Sequence, residues 1–177
     1  MKKLIIALCV AVMGIGSLAA QKGQSAAGLN FGYGSEIESF SIGAKYQYGI
    51  TDALRAEAAF NYFLEKDGVS MWGIDVTAHY LFNVAENLKV YPLAGVTYAN
   101  AKVEWEGVSV DIPGYGTVGE EGGSASEGAF GINVGAGVEY SISENIAINL
   151  EAKYQKLFGD LDAFDQVAAS VGVAYKF

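Results

Sequence analysis

The chain is 177 residues long, 51% hydrophobic and acidic, with a formal net charge of −9 at pH 7. An acidic balance of this size argues against nucleic acid or anionic phosphate as a general partner. The one cysteine, Cys9, lies in a leader segment, so the mature chain has no disulfide, no thiol catalyst and no cysteine-based metal site.

That leader comprises Lys2 and Lys3, an apolar run over 4–13, and the small residues Ser17, Ala19 and Ala20. It reads as a secretory signal peptide over 1–20, because about 20 apolar residues are needed to span a bilayer and this run is shorter. Cleavage after Ala20 puts Leu18 at the third position before the cut, and cleavage after Ala19 puts the smaller Ser17 there. Cys9 follows Leu8 rather than a small residue, which argues against a lipoprotein attachment site. Residues 21–177 are enough for one domain.

The mature segment alternates in polarity with a period of two, the pattern of a strand that shows one face to lipid and the other to a lumen. A first strand runs around Leu29, Phe31 and Tyr33. In the second, Phe40, Ile42, Ala44, Tyr46 and Tyr48 alternate with Ser41, Gly43, Lys45 and Gln47; in the third, Leu54, Ala56, Ala58, Phe60 and Tyr62 alternate with Arg55, Glu57, Ala59 and Asn61. The fourth sets Trp72, Ile74, Val76, Ala78, Tyr80 and Phe82 against Gly73, Asp75, Thr77 and His79. The fifth, through Leu88, Val90, Pro92, Ala94, Val96 and Tyr98, contains a proline that cannot donate to a ladder, which predicts a bulge or a missing hydrogen bond. The sixth shows Phe130, Ile132, Val134, Ala136, Val138 and Tyr140, the seventh Ile146, Ile148, Leu150, Ala152 and Tyr154, and the eighth Val167, Ala169, Val171, Val173, Tyr175 and Phe177.

The connections alternate in length as well. Short turns are predicted at 49–52, 83–87 and 141–145, and the other four at 34–39, 64–70, 104–128 and 158–165. Short turns at the periplasmic end and longer loops outside are the habit of outer-membrane barrels. Aromatic residues gather at both strand ends: Tyr46, Tyr48, Tyr80, Phe82, Tyr140, Tyr175 and Phe177 on the periplasmic side, and Phe31, Tyr33, Phe60, Tyr62, Trp72, Trp105, Phe130, Tyr154 and Phe158 on the outer side. Such girdles suit rings that are apolar in body and polar at one edge. The predicted fold is all-β, an eight-stranded antiparallel up-and-down transmembrane β-barrel. A soluble lipocalin-like barrel would need Lys45, Arg55, Glu57 and Glu151 to face out and the aromatic residues to face in.

This strand pattern, with the terminal Val171-Gly172-Val173-Ala174-Tyr175-Lys176-Phe177, resembles the small eight-stranded outer-membrane β-barrel or porin-like family. The resemblance covers the mature chain. It implies a Gram-negative outer-membrane location, contact with outer-membrane lipid and lipopolysaccharide, and reading of Tyr175 and Phe177 by the barrel-assembly machinery. Family members include adhesins, anchors, narrow channels and a few lipid-modifying enzymes, so the fold leaves function open.

Parity places Lys45, Arg55, Glu57, Asp75, His79, Lys89, Glu139, Glu151, Lys153 and Lys176 inside, with Lys45 roughly opposite Glu57 and Arg55 close to Glu57 and His79. An eight-stranded barrel is just wide enough for side chains to fill it, so this mixed set is expected to close the lumen as a charge network. His79 is the only histidine. It has no second histidine with which to share a metal, and the family's deacylases carry a serine and a histidine facing lipid, whereas parity turns His79 inward, so no catalytic, metal or cofactor site is assigned. The stretch 104–128 carries Glu104, Glu106, Asp111, Glu120, Glu121 and Glu127 without a Lys or Arg, and reads as a flexible acidic loop, the candidate contact surface. The expected function is a non-enzymatic anchor presenting acidic loops, for envelope integrity or surface interaction. A narrow gated pore is the alternative, and a lipid-modifying enzyme is third.

Overall fold

The computed structural model describes residues 22–105, 107–112, 116–120, 122–159 and 165–177. The leader over 1–20 lies outside them. The strands are β1 (Ser25–Gly34), β2 (Ser39–Gly49), β3 (Leu54–Lys66), β4 (Val69–Tyr80), β5 (Phe82–Ala85), β6 (Leu88–Trp105), β7 (Val108–Ile112), β8 (Gly116–Glu120), β9 (Gly123–Ser141), β10 (Ile146–Phe158) and β11 (Asp165–Lys176). Neighbours pair antiparallel in the order β4-β3-β2-β1-β11-β10-β9-β6, and β4 pairs with β6 to close an eight-stranded barrel. Closure leaves no edge, so the backbone groups of the wall bond to one another and not to lipid. At the seam between first and last strands, Phe177 N donates to Ser25 O at 2.8 Å and Ser25 N to Phe177 O at 3.1 Å.

The period-two alternation is translated directly into two faces. Along β2 the burial is strictly alternate: Ser39, Ser41, Lys45 and Gln47 are buried while Phe40, Ile42, Tyr46 and Tyr48 are exposed. The exposed set on other strands is equally large and apolar, with Phe130 at 72% and Leu150 at 63%. A contiguous band of this kind is what a hydrocarbon layer covers.

β5 continues β4 in the same register on β6: the pairs stop at His79↔Leu93 and resume at Phe82↔Val90. The unpaired interval contains Pro92, while Pro92↔Ala136 stays in register on the other side. The proline thus costs a local ladder bond and produces no bulge there, because only its missing N–H matters.

Two short turns are near copies of each other. After Gly49, Ile50 N and Thr51 N both reach Leu54 O, and Thr51 Oγ1 accepts from Leu54 N at 2.9 Å; after Ser141, Ile142 N and Ser143 N reach Ile146 O, and Ser143 Oγ accepts from Ile146 N at 3.1 Å. A hydroxyl that closes its own turn explains the Thr and the Ser at these places.

The opposite end departs from the sequence reading. The loop expected at 64–70 is absent: β3 and β4 continue to a two-residue reversal at Asp67 (φ 53°) and Gly68 (φ 76°), with Lys66↔Val69 paired across it. Both central residues have positive φ, as a type I′ hairpin requires, and Asp-Gly is a favoured pair for it. The expected flexible loop over 104–128 is largely sheet. β6 and β9 stay paired out to Trp105↔Gly123, and β7 and β8 form a further hairpin. Glycine and serine in a strand lower its intrinsic preference but leave its backbone free to bond, and a long paired ladder overrides the preference.

Candidate functional site: the barrel lumen

Every strand of the barrel sends its inward set into one lumen. Lys45, Arg55, Glu57, Asp75, His79, Lys89, Glu139, Glu151 and Lys176 are all buried there, and the Lys153 side chain is 14% exposed. Three charge clusters result. Near the turn end Glu139 is held by Arg55 Nη1 at 2.5 Å and Lys176 Nζ at 3.2 Å, with Lys89 opposite it in register. Lys153 Nζ meets Asp75 Oδ2 at 2.5 Å, and the same carboxylate accepts from Asn61 at 2.9 Å and Asn133 at 2.8 Å. Lys45 Nζ lies 3.7 Å from Glu57 Oε2, which also accepts from Gln47 at 2.6 Å. Pairing plus hydrogen bonding is what makes buried charge tolerable.

The register changes some of the expected neighbours. Lys45 stands opposite Ala59, and Glu57 opposite Gln47, so Lys45 and Glu57 meet on the diagonal. Arg55 does stand opposite His79 and donates to its Nδ1 at 3.1 Å, but the carboxylate it bonds is Glu139. Strand order supplies this partner: Arg55 is on β3 and Glu139 on β9, so the contact crosses the lumen and has no trace in local spacing.

Tyr91 is the largest lumen residue that was not singled out from the sequence. It is 1% exposed, stacks on His79 at 4.8 Å, lies 5.2 Å under the Arg55 guanidinium, and donates to Glu151 Oε2 at 3.2 Å. To reach Glu151 it crosses Gly137, where a Cβ would sit 2.4 Å from the ring. Its inward parity, next to Val90 and Pro92, was the available signal. Asn133, Asn149, Gln155 and Gln166 share that parity and join the network: Lys45 donates to Asn149 at 3.0 Å, and Gln166 to Gln155 at 2.6 Å.

Donor atoms of Glu57, His79 and Glu151 lie within 4.8 Å of one another, a spacing that could hold a metal ion. The surrounding chemistry fits charge pairing better. Arg55 Nη2 can only donate, so His79 Nδ1 accepts, and Nε2 carries the proton toward Thr77 Oγ1 at 2.8 Å. Both ring nitrogens are thereby engaged, and Lys45 already sits against Glu57.

Of the acidic stretch, Glu104 is on β6 and pairs with Lys102, Glu127 is on β9 opposite Ala101, Asp111 is on β7 opposite Thr117, and Glu120 is on β8 opposite Val108. Glu106 and Glu121 lie outside the described residues. At the chain end Tyr175 and Phe177 face outward, 57% and 65% exposed, with rings 6.5 Å apart.

A closed barrel with an apolar exterior, aromatic ends and a filled, charged interior is a transmembrane β-barrel of the outer-membrane type. The chain belongs to the outer membrane protein beta-barrel domain family, whose model matches residues 5–177. Similar solved structures include the N-terminal β-barrel domain of Pseudomonas aeruginosa OprF, with TM-score 0.66 and 17% identity over 88% of this chain and 98% of that one. Neisserial surface protein A has TM-score 0.65 and 19% identity over 87% and 96%. Ail, the attachment invasion locus protein of Yersinia pestis, has TM-score 0.58 and 19% identity over 88% and 99%. Identities this low establish the shared fold. Among curated proteins there is no match.

Proposed function

We propose that the protein is a non-enzymatic anchor in the Gram-negative outer membrane, a closed barrel that presents an acidic β-extension to the outside. The observation that carries this reading is the contrast between its two ends. One end stops in compact turns, while at the other β6 and β9 continue paired to Trp105 and Gly123, a further hairpin follows, and Glu104, Asp111, Glu120 and Glu127 lie on these strands. The filled lumen supports an anchor over an open channel. The role is envelope integrity or surface interaction, with the extension as the contact element.

Replacing 107–122 by a two-residue turn tests this. The shortened barrel is expected to insert in the outer membrane and keep its heat-modifiable mobility on gels, and protease applied to intact cells is expected to cut the full-length protein only within the removed segment. Purified wild type is expected to be silent in planar bilayers. Steady conductance of the wild type, or protection of the extension on intact cells, overturns the reading.

A further inference from the structure

We propose that the permeability barrier of this barrel is an apolar septum of Phe63, Met71 and Leu157, and that the charge network beneath it is a hydrated chamber that holds the fold but not the seal. The proposal rests on the reading of the barrel as closed and assigns that closure to particular residues.

Phe63, Met71, Ala99, Ala129 and Leu157 form one buried cluster inside the lumen, exposed by 6%, 2%, 0%, 4% and 0%, with Ile37 and Ala101 packed against it. Each is the chain neighbour of an outward aromatic residue: Tyr62, Trp72, Tyr98, Phe130 and Phe158. Alternation therefore sets the septum at the depth of the loop-end girdle. The cluster spans five consecutive strands, β3, β4, β6, β9 and β10, with the two alanines between Met71 and Leu157. Gly34 completes the wall, since a Cβ there would lie 2.8 Å from the Phe63 ring and 3.0 Å from Ile37. On β11 the buried Gln166 donates to Gln155, which donates to Thr97 at 2.9 Å, a polar row two residues along from Leu157 and Ala99 on β10 and β6.

Directly below lies a cavity of about 30 Å³, bounded by Phe63, Met71 and Ala99 above and reaching Lys45, Glu57 and Glu151 below. It has room for about two waters, and polar partners for them. Among its polar neighbours Asn30 Oδ1 is buried without a hydrogen-bond partner, as a water would supply. An ion can exchange hydration for contacts with paired charges. It finds no such substitute at Phe63, Met71 and Leu157, and an apolar constriction of this kind blocks passage by excluding water.

The test uses the full-length mature barrel, purified, folded, and reconstituted in planar bilayers in potassium chloride. Leu157→Ser and the double variant Phe63→Ala/Leu157→Ala are expected to show discrete conductance steps at least tenfold above the wild-type background. The volume-conserving Phe63→Leu/Leu157→Met and the network variant Lys45→Met/Glu57→Gln are expected to stay at background. Heat-modifiable mobility identifies folded samples, and Leu157→Ser serves if the double variant does not fold. Silence of a folded septum variant, or conductance from Lys45→Met/Glu57→Gln with the septum intact, overturns the proposal. If the wild type itself conducts, the anchor reading fails. The septum then stands only if its removal raises that conductance, and an unchanged value overturns it too.

Discussion

The charged part of the lumen and the apolar layer above it are built on the same strands by the same alternation, yet they answer to different physical demands. In the charged part, Glu139 near the turn end is paired with Arg55 from β3 and Lys176 from β11, so its contacts tie distant strands together and are expensive to leave half made. At the septum, Phe63, Met71 and Leu157 pack in one apolar cluster with Ala99 and Ala129, and losing one leaves space that water can enter. The lesson is that stability and closure of a small barrel need not reside in the same residues.

The largest effect is expected from Glu139→Gln. It strands Arg55 and Lys176 without their carboxylate, at a cost of about 3–5 kcal/mol, measurable by urea unfolding in lipid vesicles. An unchanged midpoint would break the assignment of the charged layer as the cohesive one. Leu157→Ala is expected to cost about 2 kcal/mol, the low end for a buried leucine, because water bonded to Gln155, two residues along β10, can fill the gap. A larger loss would make the septum a stability element as well. Gly137→Ala is expected to cost about 1–3 kcal/mol by overpacking against Tyr91, with near-ultraviolet circular dichroism reporting the displaced ring.

The smallest effect concerns charge outside the wall. Lys66 donates to Glu38 at 2.7 Å, and this hydrogen bond and charge hold the Glu38 carboxyl below its usual range. A lowered folded pKa means the contact is intact above the ordinary carboxylate pKa and is lost as pH falls through the lowered value. Both side chains are exposed, so titration followed by carboxyl NMR is expected to show the shift, with global stability scarcely affected. A marked stability change on Glu38→Gln would place cohesion at the rim as well as in the lumen.

The inward or outward sense of nearly every strand residue was legible in the sequence, because a period of two survives any error in strand length. Lys45, Glu57 and Tyr46, Tyr48 separate to opposite faces on that ground alone. Loop lengths were less legible. Asp67-Gly68 carries a hairpin signal within 64–70, and the glycines of 104–128 point to a loop although much of it is held in a ladder.

By itself, then, the sequence determined the barrel, its two faces and the list of charges inside, since these follow from alternation and composition, which are local. Only the tertiary structure decided who meets whom. Arg55 finding Glu139, Tyr91 crossing Gly137 to Glu151, and Phe63 meeting Leu157 all depend on closure, which brings strands far apart in the chain to one cross-section. Register sets the height at which they meet, and register is a property of paired strands that no single strand carries.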